Sequence, residues 1–438
     1  MKINRLPRMD DNNGWLNILP PLPPPVSALG EIQSDFAIVG AGFAGLAVAR
    51  RLGELLPDCS IVLLDAGRVG NNAAGRSSGF AIDQAHNIRA KDFAGVIDAE
   101  REQLSLNRAG QDYLREAVRS HRIPCDWDEA GKIHAAATDR GASKLKAYAK
   151  ALDLLDVEHD WLGADRMKEI TGSEFYVSGL YTPGTILVQP AALVRGLATT
   201  LPDNVALFEN SPVTEMELGV PHRLTMPEAA VQARTLILAN NGFAGQFGYY
   251  RKELLPIATW GSLTRPLNGD EARLLGGRNS WGIVPADPFG TSVRRMIDRR
   301  ILIRNIYSYS PGLNPVERDR TWARARHETS LRNRFPMLPD LNFDYTWGGP
   351  LCLSRNGEPV FGELETGVFG ACCLNGVGIV RGTVYGKLLA ELVAGVSTPL
   401  LDIMLNAGRP SGTPPQPFLG WGVRLNFAKR RHDAGLEM

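Results

Sequence analysis

Residues 35–65 read DFAIVGAGFAGLAVARRLGELLPDCSIVLLD. The apolar run DFAIV at 35–39 reads as a buried strand, and SIVLLD at 60–65 as a second. Between them FAGLAVARRLGELL repeats its apolar residues at helical spacing. Gly40, Gly42 and Gly45 stand at the strand-to-helix junction with GxGxxG spacing. Gly40 permits the tight turn, Gly42 lets backbone amides approach a pyrophosphate, and Gly45 lets the helix pack close to the strand. The first helical turn, at Phe43 and Ala44, offers free N–H groups and a partial positive charge to phosphates. Asp65, 20 residues after Gly45 and followed by Ala66, is placed to accept hydrogen bonds from a ribose. GxGxxG alone also marks plain glycine turns. A preceding strand, a following helix and an acid at the right distance make this one a dinucleotide site.

The rest of the chain bounds what such a site can serve. A chain of 438 residues is too long for one simple core and predicts two domains. Lys+Arg 48 against Asp+Glu 47 leaves a net charge of +1, so no basic excess asks for a nucleic acid. The five cysteines (Cys59, Cys125, Cys352, Cys372 and Cys373) show no CxxC or Cys/His metal spacing. That argues against a disulfide framework and a zinc site, and fits a reducing cytoplasm. No run approaches the roughly 18 apolar residues that would span a bilayer, so no integral membrane segment is expected. The N-terminus mixes acids, Asn and prolines where a signal peptide carries an apolar core. Residues 1–29 read as an extended arm, with the proline run at 20–25 on the surface.

Two later segments point from a generic dinucleotide toward FAD. GRVGNNAAGRSSGF at 67–80 is glycine-rich and polar, as a loop wrapped around a cofactor would be, although a surface loop has similar composition. GVFGACCLNGVGIVRGTVYGKLLAELVAG at 367–395 reads as strand, Gly-rich turn and helix, with Asn375, Gly376 and Gly378 in the turn. A second strand-to-helix junction so far along the chain suits a large cofactor held at two places.

These segments carry a family resemblance. The chain resembles the D-amino-acid-oxidase-type flavoproteins, which include sarcosine oxidase and glycine oxidase, and most of all the branch around γ-glutamylputrescine oxidoreductase. The matching segments are the Trp15 and proline-rich arm, DFAIVGAGFAGLAVA, AAGRSSGF, VQPAALVRGLA, TLILANNGFAG, TWGGPLCLSRNGEPVFGEL, the Gly376 turn and the tail PPQPFLGWGVRLNFAKRRHDAG. The resemblance implies an α/β fold: a discontinuous Rossmann-like FAD-binding domain and a substrate domain built on a largely antiparallel sheet. The FAD-binding domain would take 30–85, 185–250 and 348–400, the substrate domain 86–184 and 251–347, and 401–438 would be a C-terminal tail. RRILIRNIYSYS at 299–310 independently alternates, with Ile301, Ile303, Asn305 and Tyr307 on one face and Leu302, Arg304, Ile306 and Ser308 on the other. It predicts a half-buried strand. By resemblance Arg76, Ser77 and Ser78 would lie near the flavin ring and pyrophosphate, Val213 and Ala239 at the adenine end, and Asn375, Gly376, Val377 and Gly378 at the pyrimidine edge.

The chemistry implied is oxidation of a carbon–nitrogen bond in a small amine. Hydride passes to flavin N5, the imine hydrolyses, and O2 or another acceptor reoxidises the flavin. His86, Trp260, Arg304, Tyr307 and Trp347 are the candidate substrate-side residues. In relatives resembling glycine oxidase two arginines hold a substrate carboxylate, and alignment on Trp347 and on Asn375-Gly376 puts Leu351 and Leu374 at those positions. Arg304 and Arg381 are the arginines that could supply a carboxylate partner from another direction. Some sarcosine-oxidase relatives bind FAD through a Cys, and the register places Gly349 there, so non-covalent FAD is expected. The alternatives are an amino-acid oxidase or dehydrogenase of the same family and a non-catalytic flavin-binding subunit. A flavin hydroxylase would show an acidic GD signature before the late helix, where GACCLNG stands, and a disulfide reductase a second GxGxxG and CxxxxC.

Overall fold

The computed structural model describes residues 1–85 and 96–438. Its centre is a sheet of eight strands. The motif strand Gly30–Val39 pairs in parallel with Ile61–Leu64 on one side and with Ala229–Leu238 on the other. Val205–Phe208 and Val368–Cys372 extend this parallel core outward. Such strands are covered on both faces, which is why Ile61–Leu64 is buried at every residue. The motif helix Phe43–Leu55 and the late helix Gly378–Val393 pack on one face. An antiparallel hairpin, Glu215–Glu217 with His222–Thr225, continues the sheet from Ala229–Leu238.

The second sheet also has eight strands, in the order Phe343–Ser354, Leu254–Thr264, Ile301–Tyr309, Ser292–Arg295, Trp281–Pro285, Lys132–Ala136, Ser178–Thr182, Asp160–Gly163. Its pairs are antiparallel apart from Trp281–Pro285 on Lys132–Ala136. The expected fold class is therefore the observed one. Phe343–Ser354 crosses the expected boundary at 347/348 and pairs with Leu254–Thr264 along its length.

Two expectations change in detail. Ile301–Tyr309 is not half-buried: residues 301–303 and 305–307 are all buried. Nor does its alternation run to the end. Asn305 pairs with Trp260 and Tyr307 with Thr259, so Ile306 is an extra residue in a bulge, and its φ is 58°. A β-branched residue in that region is strained, and a bulge resets which face the following side chains occupy. Tyr307 accordingly joins Arg304 on one face, with Arg304 Nη1 donating to the Tyr307 hydroxyl at 2.8 Å. The arm differs too. Its prolines 20, 21, 23 and 24 are exposed, but Gly14–Asn17 forms a helical turn whose Trp15 is fully buried. No described helix is long and apolar enough to cross a membrane.

Candidate cofactor and substrate site

The glycine junction shows three different uses of a missing side chain. Gly40 has φ +106°, and a Cβ there would meet Ala239 O at 2.8 Å. At Gly45 a Cβ would lie 1.8 Å from Gly40 O, so turn and helix touch backbone to backbone. Gly42 is unlike both, since a Cβ would find only Ala74 Cβ, at 3.6 Å. Protein packing does not demand glycine there. Gly42 is also the N-cap of the motif helix and gives its first amides no side-chain partner. Open space in front of free amides is how a helix start receives a phosphate.

That space belongs to a cavity of about 630 Å³, at the carboxyl ends of the parallel strands and bounded on its far side by the second sheet. Asp65 lies in its wall. The carboxylate accepts from Ala41 N and Gly67 N, both at 2.9 Å, and from Asn72 Nδ2 at 3.1 Å. Burial raises its pKa against those three hydrogen bonds. Three other polar atoms in the wall are buried with no hydrogen-bond partner: Asn72 Oδ1, Asn240 Nδ2 and Thr259 Oγ1. Each such atom costs about 1–3 kcal/mol if it stays unsatisfied. The three residues line the cavity, so its wall carries polar groups that the protein itself leaves unpaired. The open space at Gly42 and the uncapped amides behind it fit the pyrophosphate of a dinucleotide.

Most of the sequence-predicted cofactor residues meet here. Gly40, Gly42, Phe43 and Ala44 line one end with Asp65 and Ala66, Val213 and Ala239 lie nearby, and Arg76, Ser77, Ser78, Gly376 and Gly378 complete the wall. Gly45, Asn375 and Val377 stand behind it. Asn375 shapes the turn, accepting from Ser354 N at 2.9 Å and donating to Gly357 O at 2.7 Å. The Arg76 guanidinium is fully committed to the protein. It donates to Asn71 O, Gly348 O and the Asp10 carboxylate at 2.9–3.0 Å, and also to Asn71 Oδ1 and Asp10 O.

The substrate-side candidates divide. Arg304 lines the cavity, and its guanidinium lies 4.6 Å from the centre of the Tyr307 ring. Trp260 and Trp347, each 1% exposed, lie outside the lining, as does Tyr307. Trp260 donates to Ser308 Oγ, while Trp347 donates to Arg76 O and packs edge-on against Trp15. Arg381 points away, donating to Ala85 O at 2.7 Å. His86 falls outside the described residues. Leu351 and Leu374 both line the cavity beside Pro350 and Ile379.

Sequence reading passed over Asn72, Asn240 and Thr259. For Asn240 a signal existed: Asn240-Asn241 directly follows an apolar strand, as Asp65 does. Thr259 gave none, because its orientation depends on the register with Ile301–Tyr309.

The comparisons with known proteins agree with this architecture. Residues 35–392 match the family described as DAO, FAD dependent oxidoreductase, and the chain belongs to that family. Among individual proteins it is 27% identical over 384 residues to gamma-glutamylputrescine oxidoreductase of Escherichia coli (strain K12), covering 85% of this chain and 86% of that protein. A probable oxidoreductase, OrdL, of Haemophilus influenzae is 26% identical over 401 residues, with 85% of each chain covered. Glycine oxidase from Geobacillus kaustophilus shares the fold with a TM-score of 0.69 at 19% identity, over 84% of this chain and 96% of that one.

Proposed function

We propose that this FAD-dependent oxidoreductase holds FAD non-covalently in the cavity and oxidises the carbon–nitrogen bond of a small amine. The start of the motif helix would hold the pyrophosphate and Asp65 the ribose, with Val213 and Ala239 bordering the adenine and Gly376 the flavin ring. When bound, FAD supplies the hydride-accepting ring. The helix beginning at Gly378 has no side-chain cap, and its free amides would stabilise the negative charge that reduction adds to a flavin held there. Gly349 supports non-covalent binding: it lines the cavity where some relatives carry a cysteine and has no nucleophile to offer.

The observation that carries the choice of amine is the pair Leu351 and Leu374 in the wall. Neither can neutralise a carboxylate, and with Pro350 and Ile379 they favour the unprotonated amine by penalising the ammonium form. Arg304 is the one charged side chain that the second sheet contributes to the lining among the described residues, and it supports the rival reading, a carboxylate-bearing α-amino acid. Anaerobic flavin-reduction rates for matched amine and amino-acid pairs separate the two. The amines should reduce the flavin faster, and Arg304→Leu should leave that order intact. A preference for the amino acid that Arg304→Leu abolishes would overturn the proposal and identify the carboxylate clamp.

A further inference from the structure

The first seventeen residues do more than precede the motif. The family model spans residues 35–392, and this segment precedes it. Yet it runs the length of the cavity. At one end Ile3 N donates to Thr214 O and Met216 N to Met1 O, both at 2.8 Å, beside Val213. In the middle the segment meets the loop after Ile301–Tyr309. Arg5 donates to Pro311 O, Arg8 N to Asn314 Oδ1 at 2.8 Å, and Asn314 Nδ2 to Leu6 O. At the far end the Asp10 carboxylate pairs with Arg76 at 2.9 Å and Arg320 at 3.5 Å. Behind that, Asn13 Nδ2 donates to Gly70 O and Gly75 O, and the buried Trp15 indole donates to Ser77 O at 2.7 Å. Ile3, Leu6, Pro7 and Met9 line the cavity between the two anchors.

We propose that residues 3–11 are a strap that closes the cavity over FAD and forms an additional wall of the cofactor site. The proposal rests on FAD occupying this cavity. The strap's fastening is the loop that lines the site, because Arg76 holds Asp10 while Ser77 and Ser78 face the cavity. A cofactor seated beneath it leaves only after the strap lifts. Its contacts span both sheets, so it also ties the second sheet across the cofactor. The apolar inner residues exclude water, and Arg5 and Arg8, at the rim, stand where they can screen phosphate charge.

The test uses full-length holoenzyme and two variants: deletion of residues 2–9, which keeps Asp10 and Trp15, and Asp10→Asn. Flavin release is followed as fluorescence recovers after dilution. Both variants should release FAD roughly ten-fold faster or more: Asp10→Asn weakens the charge-assisted fastening to Arg76, and the deletion removes the wall formed by Ile3, Leu6, Pro7 and Met9. Circular dichroism and a cooperative melt of each apoprotein separate an open strap from a damaged fold; the midpoint itself should fall, because Ile3 and Arg76, the partner of Asp10, are buried. Release from the folded deletion variant at the parent rate overturns the proposal. If the deletion does not fold, Asp10→Asn decides on the same criterion. Gly42→Val distinguishes failure of the strap from failure of the site: a Gly42→Val protein that keeps its FAD means the cofactor lies elsewhere.

Discussion

Gly42 and Gly45 are three residues apart and fail for opposite reasons when substituted. Space in front of Gly42 is free of protein, so Gly42→Val should leave the apoprotein melting temperature unchanged and remove FAD, read as the flavin-to-protein absorbance ratio. Gly45→Ala drives a methyl into Gly40 O and should destabilise the apoprotein itself by about 1–3 kcal/mol in denaturant unfolding. The motif glycines were legible from their spacing at a strand-to-helix junction, although only Gly45 answers to backbone within a few residues of itself, at Gly40 O. Arg304 and Tyr307 were not legible as a pair. The alternation of RRILIRNIYSYS puts them on opposite faces, and only the bulge at Ile306, fixed by the register with Leu254–Thr264, brings them together.

Helix packing decides where both amide-bearing ends point. A Cβ at Gly386 would lie 2.2 Å from Ala44 O, and one at Gly382 would lie 3.0 Å from Phe43 Cβ. The late helix therefore rests against the first turn of the motif helix at the residues that face the cavity. Gly386→Val should part the two helices, lowering stability by about 1–3 kcal/mol and weakening FAD binding in the same protein. Calorimetry with and without added FAD would show both changes, and a loss of stability with unchanged affinity would refute the coupling. The sequence announced both helices by their periodicity and their leading glycines. It gave no hint that the N-terminal arm reaches the site, since Asp10, Asn13 and Trp15 find partners at Arg76, Gly70 and Ser77, and the arm itself carries no periodicity.

At the scale of the whole molecule the two sheets meet across one cavity, and their joint stability depends on pH. His327 is fully buried, with Nδ1 2.7 Å from Ser262 Oγ, and burial holds its pKa down at about 3, against an ordinary value of 6.5. The unfolded chain takes up this proton below 6.5 while the folded protein does not. The contribution is therefore complete above pH 6.5 and lost as pH falls toward 3, by up to about 1.4 kcal/mol per pH unit. His327→Asn should flatten the acid limb of a stability–pH curve; an unchanged slope would contradict the assignment. Non-covalent cofactor predicts that acid precipitation leaves yellow supernatant and colourless protein, because Gly349, Cys352, Cys372 and Cys373 offer the flavin no reachable thiolate: the three cysteines are buried outside the lining. FAD held in this cavity is proposed to take hydride from a carbon–nitrogen bond. The most direct test is anaerobic mixing of the purified, FAD-loaded protein with a panel of small primary and N-alkyl amines while the visible flavin absorption is recorded. At least one amine should bleach the flavin, and faster than the matching α-amino acid does. Flavin that stays oxidised with every amine in the panel would contradict the proposal.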